Sequence, residues 1–233
     1  MTAGGTSAEV PGPHGSRHRS RLPWRPLTME IAFAAGSACF LIGPFPGYVQ
    51  LVGPAADAIT FFVGSVLFTI GGALQLWLAA PVRRQGGAGR AAFLAALAQT
   101  LGTLFFNRTT FQALQTAVTA PDYNHLVWRP DAFGSICFLL SGIIGYRASV
   151  RRGWRLVRTG PGWRVPAINL AGCIFFGIAA IAGYVVPASG SMLDLAAANW
   201  TTAVGAACFL ICAVVGLVDA GDGSLNSADD LPA

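Results

Sequence analysis

The chain has 233 residues, of which 54% are hydrophobic and only 11% charged, and its mean hydropathy is +0.57. That balance excludes an ordinary soluble domain and reads as an integral membrane protein. The net charge of +5 comes from 15 Arg and no Lys; the Arg residues flank hydrophobic stretches, which points to topology and membrane lipid headgroups and away from nucleic acid.

Residues 1–27 are rich in Gly, Pro, Ser and Arg and lack apolar periodicity, the composition of a disordered tail. Arg17, Arg19, Arg21 and Arg25 make it basic. Ala32-Phe33-Ala34 has the form of a signal-peptide cleavage site, but the apolar run continues toward Val52, so an uncleaved anchor is expected. The first span is placed at 29–52, with Pro44 and Pro46 kinking or breaking its far third. Gly53-Pro54 leads to a second span at 57–80, and Arg83, Arg84 and Arg90 precede a third at 91–117 that turns polar at Asn107-Arg108. The fourth is placed at 131–149 with Asp131 as its N-cap, the fifth at 166–187 and the sixth at 199–218. Residues 219–233 read as a short acidic cytoplasmic tail. The expected fold is thus all-α and polytopic, with six transmembrane helices over residues 28–218.

With the N-terminus in the cytoplasm, thirteen of the fifteen Arg fall on that side and only Arg108 and Arg129 on the other. The positive-inside bias then places both termini in the cytoplasm of a multi-pass protein of the bacterial inner membrane. Trp24, Trp77, Tyr146, Trp154 and Trp163 fall near the inner interface, and Tyr48, Trp128, Tyr184 and Trp200 near the outer one.

Each span carries one copy of a small-small-x-x-Phe pattern, starting at Gly36, Gly64, Gly102, Gly134, Gly172 and Gly205 and ending at Phe40, Phe68, Phe106, Phe138, Phe176 and Phe209. Residues seven and eleven places after each Gly are also small, except Gln75. These offsets return to nearly one helix face, giving stripes along which membrane helices pack closely; these six Gly, with Gly142, are the expected packing positions. Alternate copies recur at steps of 66 and 70 residues from Gly36, and 70 and 71 from Gly64, the spacing of three tandem two-helix hairpins.

Phe62-Val63-Gly64-Ser65-Val66-Leu67-Phe68 and Phe133-Gly134-Ser135-Ile136-Cys137-Phe138 resemble the Gly-Ser and Phe-rich helices of the YrhK-like bacterial membrane proteins, over residues 57–149. The resemblance implies a two-helix hairpin as the unit of the fold. The family has no established activity, so it implies no catalytic residues.

Few residues carry chemistry. His14, His18 and His125 lie outside the spans, so no histidine pair is placed to hold a haem or a metal. Cys39, Cys137, Cys173, Cys208 and Cys212 read as small packing residues, and Gly86-Gly87-Ala88-Gly89 lacks the Lys and Ser/Thr of a phosphate-binding loop. No cofactor and no enzymatic activity are expected.

What remains is polar side chains at membrane depth. Gln75, Gln99 and Asn169 are suited to interhelical hydrogen bonds. Arg108 lies about 25 Å into its span at about 1.5 Å per residue. It either snorkels to headgroups or pairs with Asp57, Asp122 or Asp131. Gln75, Gln99, Asn107, Arg108 and Gln112 are therefore the candidate lining of an outward-facing vestibule. Two functions follow: a non-enzymatic structural, assembly or partner-binding protein, self-association included, which is preferred because no acidic residue sits mid-span, or a small-molecule or ion transporter or channel.

Overall fold

The computed structural model describes residues 24–150 and 161–229. The basic tail up to residue 23, most of the 150–165 loop and the last four residues lie outside them. Seven α-helices account for most of the chain: α1 (Trp24–Ile42), α2 (Pro46–Val52), α3 (Pro54–Ala79), α4 (Gly87–Ala113), α5 (Arg129–Ser149), α6 (Arg164–Ala182) and α7 (Leu195–Asp229). All but the two-turn α2 are long and apolar enough to cross a membrane. Their exposed side chains are large and apolar, such as Ile59, Val63 and Ile70 on α3 and Ile174, Ile178 and Ile181 on α6. This is a surface for lipid. The protein is a multi-pass, all-helical membrane protein.

The span boundaries need correction at several ends, each for a local reason. The first span stops at Ile42, because Pro44 and Pro46 cannot continue its backbone hydrogen bonds; Pro46 instead starts α2. Gly53, at φ 85°, turns the chain from α2 into α3. The third span is shifted toward the N-terminus, to Gly87–Ala113. The fourth begins upstream of Asp131, because a π-helical turn at Asn124–Trp128 runs straight into α5; Asp131 lies in the first turn and caps nothing. The fifth ends at Ala182, and Val185–Val186 (β1) pairs with Ser191–Met192 (β2) in a small hairpin turned by Gly190. The sixth starts at Leu195, where the Asp194 carboxylate accepts the backbone N–H of Ala197, and it runs on to Asp229, through the segment read as a tail.

The helices form a closed ring. α1 packs on α3, α4 on α5 and α6 on α7 as three antiparallel hairpins; α3 on α4 and α5 on α6 join the hairpins, and α7 closes back on α1. The small-small-x-x-Phe pattern builds each hairpin reciprocally. A Cβ on Gly36 would stand 3.0 Å from the Phe68 ring and one on Gly64 3.0 Å from that of Phe40. The corresponding approaches are 2.5 Å for Gly102 to Phe138 and 3.3 Å for Gly134 to Phe106, then 2.7 Å for Gly172 to Phe209 and 2.6 Å for Gly205 to Phe176. Each Gly is the seat of its partner helix's Phe. The small residue after each Gly (Ser37, Ser65, Thr103, Ser135, Cys173, Ala206) is at most 4% exposed, sealing the seams between neighbouring helices.

The six Phe meet at the centre of the ring. Phe40, Phe106 and Phe176, from α1, α4 and α6, form one triangle with centroids 5.8–6.5 Å apart. Phe68, Phe138 and Phe209, from α3, α5 and α7, form a second with centroids 5.8–6.3 Å apart. Hairpin partners join the triangles at 5.7, 4.9 and 5.3 Å, mostly tilted or edge-on, the arrangement that aligns ring edges with ring faces. Two opposed triangles follow from chain direction: Phe comes after Gly, so it is displaced one way on helices running up and the other way on helices running down.

Gly134→Leu should overpack the α4–α5 crossing, where a Cβ would already lie 3.1 Å from the Gly102 carbonyl oxygen. The expected cost is about 1–3 kcal/mol, read as a lower unfolding midpoint in detergent. Gly177→Ala, in the same bundle but with open space around it, should leave the midpoint unchanged or raise it slightly. Equal midpoints for Gly134→Leu and the parent would mean that the Gly–Phe seats do not hold the hairpins together.

Candidate functional site

Two cavities lie along the bundle axis, one on each side of the Phe cluster. The first, about 240 Å³, opens toward the end of the bundle that carries Arg25, Arg83, Arg84, Arg90, Arg147 and Arg164, and has Phe68 and Phe209 in its lining. The second, about 350 Å³, opens toward the opposite end, where the long connections lie, and has Phe40, Phe106 and Phe176 in its lining. We call these the basic-end and loop-end cavities.

One register of the repeat lines both. Residues three places before each Gly are Phe33, Gln99 and Asn169 on α1, α4 and α6, which line the basic-end cavity, and Phe61, Asp131 and Thr202 on α3, α5 and α7, which line the loop-end cavity. This position is seven residues before the Phe, hence on nearly the same face of its helix. Seven places before the Gly, Asp57 and Ala198 on α3 and α7, and Val127 just ahead of α5, also reach the loop-end cavity. Eleven places after it, Gln75 and Gly145 reach the basic-end one.

In the basic-end cavity Ser141 donates to the Gln99 side-chain oxygen at 3.2 Å, whereas the buried side-chain oxygen of Gln75 has no partner among the described residues. The Glu30 carboxyl enters from α1 against Gly216 of α7, where any Cβ would displace it. The lining is therefore mostly apolar, with a group of side-chain acceptors and one acid set into it.

The loop-end cavity has two acids, Asp57 and Asp131, each in the first turn of its helix, where the N-terminal dipole favours an anion. Neither carboxylate accepts a hydrogen bond among the described residues, and Asp57 Oδ1 is a buried atom without a partner. Tyr123, just ahead of the fourth span, has its phenol pushed up to about 12 by burial and then by the neighbouring Asp131 charge, so it stays a neutral O–H donor. The cavity is covered by the π turn and the β1–β2 hairpin, which are tied together: Asn124 Nδ2 donates to the Val185 carbonyl at 2.6 Å and Asn124 Oδ1 accepts the Val185 N–H at 3.1 Å. Trp128 Nε1 donates to the Ala180 carbonyl at 2.7 Å, and Thr109 donates to the carbonyl of Val127.

The five residues read as one vestibule are not brought together. Gln75 and Gln99 share the basic-end cavity, away from the end expected for them. Asn107 donates to Thr69 Oγ1 at 2.8 Å, joining α4 to α3. Arg108 is exposed on the outer surface of α4, and neither it nor Gln112 lines an axial cavity. None of Asp57, Asp122 and Asp131 forms an ion pair with Arg108, because its side chain leaves the opposite face of α4. Asp131, read from the sequence as a cap, and Asp57, read as a partner for Arg108, are the acids that face the loop-end cavity. The signal that carries them is their register, three residues ahead of the Gly for Asp131 and seven for Asp57. Among the described residues no group of three His, Cys, Asp or Glu side chains is placed to hold a metal ion.

Arg108→Lys and Arg108→Ala should both match the parent unfolding midpoint within about 0.5 kcal/mol, the range of surface changes that break no specific contact. A larger loss for Arg108→Ala, restored by a charge swap with one of the three aspartates, would contradict this placement. Comparison with known proteins finds no family model, no curated protein and no solved structure that matches the chain.

Proposed function

We propose that this chain is a non-enzymatic membrane protein that passes a small polar solute along the axis of its helix ring, with the six Phe as the gate between two cavities. One observation carries the reading: two cavities, each a largely apolar wall interrupted by a few polar side chains and a buried acceptor with no partner among the described residues, lie on the same axis and meet end to end at an apolar plug two rings thick. A bundle serving only assembly gains nothing from voids on its axis, since unfilled interior space costs packing energy. This favours the transporter or channel alternative over the structural role preferred from sequence. Repeats related by an axis along the membrane normal also recur in transporters, a likeness at the level of fold alone.

The same reading orients the protein with its basic end in the cytoplasm, as Arg25, Arg83, Arg84, Arg90, Arg147 and Arg164 favour. In an inner membrane the loop-end cavity then faces outward. We also read residues 57–149 as YrhK-like, a reading that the reciprocal Gly–Phe seats of α3 with α1 and of α5 with α4 support.

The test is solute flux in vesicles reconstituted with the full chain. Shrinkage and re-swelling with urea, glycerol and choline chloride should be faster than in empty vesicles for at least one solute. Phe138→Ala, which thins both the contact with Phe106 and the triangle with Phe68 and Phe209, should raise that rate by about tenfold, equivalent to about 1.4 kcal/mol of barrier. Protein-containing vesicles as impermeable as empty ones to all three solutes, with and without Phe138→Ala, would overturn the reading.

A further inference from the structure

We propose that the loop-end cavity is a binding site for a small organic ammonium cation, held between the carboxylates of Asp131 and Asp57 and the aromatic walls. This deepens the permeation reading and rests on it for the cation's passage, though not for its binding.

The first observation is charge without a counter-charge. Asp131 and Asp57 reach the cavity from α5 and α3, two helices separated in the ring by α4, and among the described residues no Arg or His lines the cavity with them. Asp131 is half-buried and accepts no hydrogen bond among the described residues, while Asp57 Oδ1 is a buried atom without a partner among them. A carboxylate taken out of water needs a cation or a set of donors to offset the lost solvation. The helix N-termini supply part of that compensation, and a cation bound in the cavity would supply the rest.

The second observation is the wall. Phe40, Phe106 and Phe176 close the cavity toward the membrane centre, and Tyr123 and Trp128 stand among its sides. Aromatic faces attract a cation, most strongly once it is desolvated, and they favour one whose charge is spread over methyl or methylene groups. The volume of about 350 Å³ falls at the lower end of small-molecule pockets, about 300–1,000 Å³, and far exceeds what a bare inorganic ion fills. A divalent metal would demand a tight cluster of oxygen ligands, and the described residues hold no such group.

The third observation is differentiation of the repeat. Two registers of the repeat face this cavity, one carrying Phe61, Asp131 and Thr202 and the other Asp57, Val127 and Ala198. Each register could hold three acids on the threefold backbone, and each holds one. Two carboxylates on adjacent hairpins, with apolar or neutral residues on the third, make a lopsided site that orients its ligand.

The test is equilibrium binding to the purified full-length chain in detergent, using choline and tetramethylammonium as probes and 3,3-dimethylbutan-1-ol as the uncharged counterpart of choline. Choline should bind saturably and raise the melting temperature in step with its concentration, and the uncharged alcohol should do neither. Asp131→Asn, which keeps the side-chain shape, should weaken choline by about tenfold or more, and Asp57→Asn should weaken it by a smaller factor. The proposal falls if neither ammonium binds up to about 10 mM, if the alcohol stabilises the protein as much as choline does, or if both Asn variants bind as the parent. Flux separates the two readings: saturable choline binding without passage into vesicles upholds the site and sinks permeation, whereas urea or glycerol passage without ammonium binding does the reverse.

Discussion

The architecture depends on one contact made six times, a Phe ring seated on a Gly of the antiparallel neighbour. Between helices in lipid there is no hydrophobic driving force, since the acyl chains are as apolar as the side chains they would replace. Close van der Waals approach must supply the attraction, and it needs a surface without Cβ atoms on one helix and a broad flat group on the other. Gly and Phe four residues apart provide both on every span, so each helix gives and receives one seat within its hairpin. The rings also meet one another, at about 0.5–1.5 kcal/mol per pair beyond simple burial, which ties the three hairpins at a single point.

Placing the attraction at the centre leaves the two ends of the axis under-filled. Helices that converge at mid-membrane on Gly and Phe diverge toward both interfaces, and the residues facing the axis there determine what the gaps hold. On the basic end these are Gln75, Gln99, Ser141, Asn169 and Glu30; on the loop end they are Asp57, Asp131, Thr109 and Tyr123. Fold and proposed function therefore use different registers of one repeat. The Gly and the Phe are kept six times over, whereas the position three residues before the Gly varies, Phe on α1 and α3 and then Gln99, Asp131, Asn169 and Thr202. Over the loop-end cavity the Asn124–Val185 pair fastens the π turn to the β hairpin.

The sequence disclosed the helix count, the three hairpins and the packing glycines, because each is carried by local periodicity. Gly142, chosen with the six repeat glycines, does lie at a crossing, with Cys173 and Leu170 of α6 against it. Boundaries were less legible where tertiary partners set them: the π turn ahead of α5 rests on a bond to β1, some sixty residues away in sequence. The candidate site was misread for a physical reason. Depth along a span is visible in a sequence, but azimuth around the helix is not, so Arg108 drew attention by depth although it points outward. Asp131, at the far end of its span and next to Pro130, passed for a cap. Its register, that of Gln99 and Asn169, can be counted from the Gly, but only the ring geometry shows that this register faces the axis.

The central claim, two cavities kept apart by the Phe cluster, is most directly tested by sided accessibility at one repeat position. Single cysteines replacing Gln99 and Thr202, which share a register but face opposite cavities, would be introduced after the five native cysteines are removed. A small, charged, membrane-impermeant thiol reagent would then be applied to intact cells and to inverted vesicles. Gln99→Cys should react only in inverted vesicles and Thr202→Cys only in intact cells. Reaction of either from both sides, or of both from the same side, would contradict the account.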